Sequence, residues 1–468
     1  MPGSPSRLAR RPGVPYSLVL RFFMGLMAMA ERSIGVALLG CGVVGGGVVS
    51  ILREQQQMLR QRTGLTFDIR HVVVRDTAKV RDGLSDLPYT TDAQAAISDP
   101  KVDVVIELIG GTTVADELIQ QALRLGKPVI TANKSLLALK APELFALARK
   151  HDTCIAFEAS CGGGIPIIQA IASGLLANRI DALVGIVNGT CNVILTRLTR
   201  QGWTYQQALA EAQRLGYAEA DPTLDVSGRD AAQKLAILAS LAFNVRVSEE
   251  DVYVEGIDSL QPADISFASD LGYVVKLLAI AQRSGDDRLS LRVHPTLVHK
   301  DDVLAEVSGS FNAISVYGHA LGHSLYYGRG AGRLPTASAV VADLLAVALG
   351  TYKTAFNQLR IFPDTTPRAQ IQPFSELRSR YYLRLTALDQ PGVMAKVTRI
   401  LGDQGISLSA ILQRENNEGQ SVPVVITTHL AREGAMQSAL RQLDALDAIT
   451  GPTVCLRIVD QPEEFGLA

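Results

Sequence analysis

Between Leu215 and Lys234 the chain crowds four carboxylates, Glu219, Asp221, Asp225 and Asp230, ahead of an apolar helical stretch that carries Lys234. One or two acids before a helix can cap it and offset its dipole, but four together with a lysine exceed that need. Asp230 and Lys234 stand four residues apart, so on a helix they share a face and can pair. A carboxylate beside a lysine fixes the ammonium in place, and partial burial adjusts its pKa. Such a pair suits the movement of one proton to and from a small polar molecule. A second lysine, Lys134, follows a short apolar run in Thr131-Ala132-Asn133-Lys134 and belongs either to the same site or to the surface. His71, His294, His299, His319 and His323 are scattered and read as structural.

The other constellation is Gly40-Cys41-Gly42-Val43-Val44-Gly45, a G-x-G-x-x-G between an apolar run and a helical one. Its first glycine permits a tight turn, its second lets backbone approach a pyrophosphate, and its third permits close helix–strand contact. The helix N-terminus then faces the phosphates. Glycines serving a tight turn alone are the plainer alternative, and the strand-then-helix context argues for the dinucleotide. The second strand ends Val74-Arg75-Asp76, followed by Lys79 and Arg81. Cations there suit a 2′-phosphate and favour NADP(H), while Asp76 leaves NAD(H) open. A dinucleotide site plus a proton carrier together describe hydride exchange with an alcohol.

The elements that must position these groups alternate. Ile34 to Leu39, Phe67 to Val74, Val102 to Leu108 and Pro128 to Thr131 read as buried strands. Gly45 to Arg62, Leu118 to Leu125 and Ala141 to Lys150 read as the helices between and after them. That rhythm implies an α/β, Rossmann-type doubly wound parallel sheet over residues 34–160, with Lys134 near its carboxyl end, where ligands bind in such folds. From 161 to 350 long helices, Gln206 to Leu215 and Arg229 to Phe243, mix with less regular strands, as in an α+β substrate and dimerisation domain. A polar, Pro-containing linker spans 351–379. Residues 380–468 follow a βαββαβ order, ferredoxin-like. Residues 1–33 form a leading extension, disordered or preceding a later start at Met24, Met27 or Met29. A secretory signal is the alternative, although Arg21 interrupts its apolar stretch.

At 468 residues with net charge −1, the chain has room for several cores and no basic excess for nucleic acid or a membrane surface. Five cysteines without a Cys-x-x-Cys pair fit a reducing, cytoplasmic setting and argue against a zinc or disulfide framework.

Over nearly all of its length after the extension, the chain resembles monofunctional homoserine dehydrogenases that carry an ACT domain. The carriers are Gly40 to Gly45, VIELIGG (Val105 to Gly111), TANKSLLA (Thr131 to Ala138), EASCGGGIPII (Glu158 to Ile168) and GIVNGTCNVILT (Gly185 to Thr196). LGYAEADPTLDVSGRDAAQKLAIL (Leu215 to Leu238) and GRGAGRLPTASAVVAD (Gly328 to Asp343) complete them. The resemblance implies interconversion of L-homoserine and L-aspartate 4-semialdehyde on the route to threonine, methionine and isoleucine. It implies Lys234 as the proton donor and acceptor, Asp230 as the orienting acid, and Lys134 near the reacting oxygen or the nicotinamide. Glu219 and Asp225 become ligands of the substrate ammonium, with Asn188, Gly189 and Thr190 lining the pocket.

Cofactor contacts are implied at Gly40, Gly42, Val43, Val44, Gly45, Arg75, Lys79, Thr112, Lys134, Gly216 and Gly330. Glu158, Cys161, Gly163 and Ile165 resemble a monovalent-cation site, usually sodium, made of one carboxylate and backbone carbonyls. Relatives often have Val or Thr where Cys161 stands, so its thiol is not a ligand; by sequence alone the segment is a glycine-rich turn. Leu388-Asp389-Gln390-Pro391-Gly392-Val393 matches the first turn of an ACT domain. Such domains pair across subunits, implying a homodimer or homotetramer. They also commonly bind amino acids, which makes threonine feedback an expectation here, with a purely dimerising role as the alternative. Two further readings remain: a dehydrogenase of another small amino acid or aldehyde, and a non-catalytic nucleotide sensor. A sensor has no use for the acid–lysine set.

Overall fold

The computed structural model describes residues 32–79, 81, 83–285, 288–413 and 421–459; the leading segment before Arg32, with its alternative readings, lies outside them. Six strands form the first sheet: β1 (Arg32–Leu39), β2 (Leu65–Val73), β3 (Tyr89–Thr90), β4 (Val104–Glu107), β5 (Val129–Thr131) and β6 (Ile155–Ala156). Their order is β3-β2-β1-β4-β5-β6 and every pair is parallel. From Ile34 onward β1 is buried without alternation, because helices cover both faces of the sheet. Order reverses between β1 and β4, so the crevice beyond their carboxyl ends is the natural ligand site. The helices that open from it are α1 (Val43–Glu54) after β1 and α2 (Lys134–Lys150) after β5.

Several boundaries differ from the sequence reading. β1 takes in Arg32 and Ser33, which pair with Leu65 and Thr66. The single helix expected from Gly45 to Arg62 ends at Glu54 and resumes as Gln56–Thr63. α2 begins at Lys134, seven residues before the expected Ala141, because the Asn133 side chain caps it by accepting from Leu136 N–H at 3.1 Å.

The second sheet contains β7 (Ile180–Ile186), β8 (Tyr273–Ser284), β9 (Arg288–His299), β10 (Phe311–Gly318) and β11 (Gly322–Arg329). Packed near it are α3 (Gly189–Gln201) and α4 (Arg229–Phe243), whereas α5 (Arg333–Ala348) packs against α1 and against β4 and β5 of the first sheet. β8 is a nearly continuous apolar run, whereas β9 alternates Leu289, Leu291 and Val293 with Ser290, Arg292 and His294, and both sets are buried because the strand is covered on both faces. Gly47 of α1 lies where an added Cβ would come within 2.6 Å of the Arg333 carbonyl, so α1 and α5 cross at glycine distance.

The C-terminal unit runs β12 (Arg378–Leu388), α6 (Val393–Asp403), β13 (Leu408–Gln413), β14 (Ser421–Thr428), α7 (Glu433–Asp444) and β15 (Val454–Val459). This is the expected βαββαβ order, and its sheet runs β15-β12-β14-β13. β15 also pairs in parallel with β9, Thr296 to Val298 against Arg457 to Val459. The second sheet therefore continues through both units as β11-β10-β7-β8-β9-β15-β12-β14-β13. The segment read as a polar, Pro-containing linker starts with a helix, Thr351–Gln358. Its Phe356, with Phe362, is buried against Phe145 and Phe157, which gives that stretch an apolar reason to fold. No single helix among the described residues is long and apolar enough to cross a membrane.

Candidate active site

Asp230, in the first turn of α4, is buried, and three side chains converge on it. Lys234 Nζ donates to Oδ2 at 2.7 Å, one helical turn along as the spacing predicts. Lys134 Nζ, from the first residue of α2, lies 3.2 Å from Oδ1. Asn188 Nδ2 donates to Asp230 Oδ2 and to Asp225 Oδ1, both at 2.7 Å, clasping the two acids together. The Asn188 carbonyl oxygen meanwhile caps α3 by accepting from Cys191 N–H. Its polar atoms are thus spent on the protein, so Asn188 acts on the pocket by holding its acids.

Burial penalises the Asp230 carboxylate, yet Lys234 and Lys134 more than offset this and hold it down at about 2. Burial likewise disfavours the Lys234 ammonium, and the adjoining Asp230 carboxylate outweighs it, leaving the pKa above the ordinary lysine value. Lys234 also donates to the Val187 carbonyl at 2.8 Å. An ammonium has three donors. With two engaged by the protein, one N–H of Lys234 remains for an incoming oxygen.

Lys134 sits where the helix dipole opposes a cation, a cost of roughly 0.3–1 kcal/mol in an exposed first turn. Asp230 compensates for it from the other unit. Loops at the ends of β4 and β5 are braced by Glu107, whose Oε1 accepts from Ile109 and Gly110 N–H and whose Oε2 accepts from Thr131 Oγ1 at 2.6 Å. Asn133 Nδ2 ties the same loops together through the Gly111 carbonyl at 2.7 Å. Neither residue was singled out from sequence. The signal for Glu107 was there: an acid in an otherwise apolar buried strand needs internal partners.

Glu219 is exposed, and its carboxylate has no protein partner among the described residues, unlike Asp221, which bonds Thr223. Thr190 Oγ1 donates to the Tyr217 carbonyl at 2.8 Å, anchoring the segment that presents Glu219. Gly189 opens α3 beside Asn188. Gly216, at φ +75°, makes the turn after the helix Tyr205–Arg214.

The glycine loop fits a dinucleotide. Gly40 has φ +100°, and a Cβ there would meet the Leu108 carbonyl at 2.7 Å; one on Gly45 would meet the Gly40 carbonyl at 2.3 Å. Gly42 has open space before it and caps α1 without a side chain, and the first turn of α1 holds no acid. Val43 stands 69% exposed and Val44 half-buried at this uncapped helix start, which leaves its amides for an anion. Thr112 lies between Gly111 and the helix Val114–Arg124, in the loop that follows β4. Arg75 and Lys79 are exposed beyond β2, whereas Arg81 folds back onto the Lys79 and Asp76 carbonyls.

Glu158 is buried, its two oxygens accepting from Ile168 and Gln169 N–H at 2.9 and 2.8 Å. Burial raises it to about 7 despite those bonds. Cys161 is buried, Gly162 and Gly163 turn with positive φ, and Ile165 N–H closes the turn onto the Gly162 carbonyl. A Cβ on Gly163 would lie 2.5 Å from Gly330, so this turn packs against the segment carrying that residue.

Three family models match the chain: "Homoserine dehydrogenase, NAD binding domain" over residues 40–158, "Homoserine dehydrogenase" over 166–345, and "ACT domain" over 381–448. The homoserine dehydrogenase of Pseudomonas aeruginosa is 44% identical over 432 residues, 91% of this chain and 99% of that protein. The crystal structure of a homoserine dehydrogenase from Thiobacillus denitrificans superposes with a TM-score of 0.86 at 43% identity, covering 92% of this chain and 99% of that one. A hyperthermophilic archaeal homoserine dehydrogenase in complex with NADPH matches at 25% identity with a TM-score of 0.58, covering 68% of this chain and 98% of that one. With its glycine crevice, its acid–lysine cluster and these matches along its length, the chain belongs to the homoserine dehydrogenase family.

Proposed function

We propose that Lys234 carries the proton in the reaction of this homoserine dehydrogenase, the interconversion of L-homoserine and L-aspartate 4-semialdehyde with a nicotinamide cofactor. The observation that carries this reading is the buried Asp230 carboxylate shared by Lys234 and Lys134, with one N–H of Lys234 uncommitted. When bound, the nicotinamide ring supplies or accepts the hydride. In reduction, Lys234 gives its proton to the carbonyl oxygen as the alcohol forms; in oxidation, neutral Lys234 takes the hydroxyl proton. Asp230 fixes the ammonium and favours its charged form, so the resting enzyme is set for reduction. Lys134 adds a second positive charge beside the reacting oxygen. Glu219 and Asp225 receive the substrate ammonium, with Asn188, Gly189 and Thr190 shaping the pocket around them.

Several finer assignments belong to the same reading. NADP(H) is preferred over NAD(H), supported by exposed Arg75 and Lys79 and by the NADPH bound to the archaeal relative. Gly40, Gly42, Val43, Val44 and Gly45 cradle the pyrophosphate, with Thr112, Gly216 and Gly330 contacting the cofactor further along. The Glu158, Cys161, Gly163 and Ile165 turn offers one buried carboxylate and backbone oxygens, a set suited to sodium. The ACT unit receives threonine as effector and pairs copies into a dimer or tetramer, working in the cytoplasm. The domain divisions at 160, 350 and 379 follow the sequence rhythm. Steady-state assay of nicotinamide reduction with homoserine tests this reading, with NADP compared against NAD, sodium against potassium, and threonine present or absent. No turnover of homoserine with either cofactor defeats it.

A further inference from the structure

The seam between the catalytic and C-terminal units holds a buried ionic hub. Arg457 on β15 donates Nε and Nη2 to the two Glu433 oxygens of α7, at 3.1 and 2.7 Å. Its Nη1 reaches Glu255, outside the C-terminal unit. Arg457 and Glu433 are buried, while Glu255 is about one-third exposed. The guanidinium also lies over the rings of Tyr253 and Phe374, and Tyr381 donates to Glu433 at 2.9 Å. Tyr253 in turn donates its hydroxyl to Glu255. Two carboxylates around one guanidinium exceed what is needed to satisfy Glu433, whose pairing with Arg457 already spans both its oxygens.

The Glu255 side of the hub leads to the active site by backbone contact. Tyr253 and Val254 pair with Arg292 and Val293 of β9, the strand that also pairs with β15. Just beyond Glu255, Ile257 N–H donates to the Val226 carbonyl at 2.9 Å. An added Cβ on Gly256 would come within 2.5 Å of that carbonyl and 2.9 Å of Ser227 Cα. Gly228, at φ +84°, is closed in by Val254, the Glu255 carbonyl and Val293. Residues 253–257 are therefore pressed against 226–228 with no room for a methyl group. Asp225 immediately precedes that stretch and Asp230 follows it by two residues.

We infer that Arg457, from the last strand of the C-terminal unit, is a positioning residue for Asp225 and Asp230, acting through Glu255 and the segment it anchors. The ACT sheet thus contributes a side chain to the geometry of the substrate acids besides any effector it binds. This inference rests on the assignment of those acids under Proposed function.

The test uses the full-length enzyme with NADP(H) in four forms: Glu255→Gln, Arg457→Met, the double variant, and Asp225→Asn. Glu255→Gln keeps the shape of the side chain and leaves the Arg457–Glu433 pair whole, so thermal melting stays near wild type. Its KM for homoserine rises roughly three- to tenfold, while NADPH affinity by fluorescence titration stays within about twofold. Arg457→Met lowers the melting temperature as well, because Glu433 loses its partner. If the two residues act in series, the double variant raises the homoserine KM no further than Arg457→Met alone. A folded Glu255→Gln enzyme with unchanged kcat and homoserine KM overturns the inference, and so do effects that multiply in the double variant. Asp225→Asn separates the two levels. If it leaves the homoserine KM unchanged, the assignment of the substrate acids fails; if it raises KM while Glu255→Gln does not, only the hub fails.

Discussion

Lys134 and Lys234 reach the same carboxylate from opposite sides of the crevice, Lys134 at 3.2 Å from Asp230 Oδ1 and Lys234 at 2.7 Å from Oδ2. The adjoining Asp225 brings the cluster to two cations and two acids, and on the proposed reading the uncommitted N–H groups of the lysines are the donors for an alkoxide-like oxygen. The two lysines also tie α2, at the carboxyl end of the parallel sheet, to α4 at one point.

Lys234 combines an uncommitted N–H with a fixed carboxylate partner, and it is more deeply buried than Lys134 and held by a second bond to the Val187 carbonyl. Lys234→Ala is expected to lower kcat in both directions by about 10²–10⁴-fold. Binding of NADPH, followed by fluorescence, should persist because the glycine loop is untouched. Retained turnover would take the proton-carrying role away from Lys234.

The pH profile follows from the pair. Burial alone would lower the Lys234 pKa, and Asp230 raises it above the ordinary value. Oxidation needs the neutral amine, so its rate should climb with pH through the neutral and alkaline range. Asp230→Asn removes the raising influence and leaves the burial. The rising limb for homoserine oxidation should then move to lower pH by at least about one unit. A limb that stays in place, in an enzyme with measurable residual rate, would assign it to some other group.

Glu219 has its carboxylate exposed and without a protein partner among the described residues, unlike Asp230. Glu219→Gln should raise the homoserine KM by roughly tenfold or more, the scale of one hydrogen bond to a charged group. kcat and the cofactor KM should change little. Because the side chain supports no core, melting temperature should hold, and an unchanged KM would remove Glu219 from the substrate ligands.

Arg75 and Lys79 are exposed beyond β2, and the proposed NADP(H) preference makes them the partners of a 2′-phosphate. Replacing both by glutamine should raise the KM for NADP about tenfold or more and leave that for NAD nearly unaltered, since only the phosphate loses partners. Equal losses with both cofactors would point to disruption of the loop.

The i, i+4 pair of Asp230 and Lys234 was legible because both residues sit on one helix, where spacing alone makes them neighbours. The glycine loop was legible for a similar reason, since strand, turn and helix follow one another in the chain. The ACT unit showed itself through its turn motif and order of elements. Less was readable where partners come from separate parts of the fold. The contact of Lys134 with Asp230 crosses between α2 and α4, and nothing local to either residue announces it. Glu107 and Asn133 brace loops whose proximity depends on β4 lying beside β5.

Sequence by itself determined the chemistry available: a dinucleotide crevice, a carboxylate-steadied lysine, and a ferredoxin-like unit at the end. Only the tertiary structure decided that β15 lies against β9, so that both units share one continuous sheet and Arg457 meets Glu255. Strand pairing is made by backbone N–H and C=O groups that every residue but proline carries alike, so the choice of neighbour is left to the packing of the whole chain.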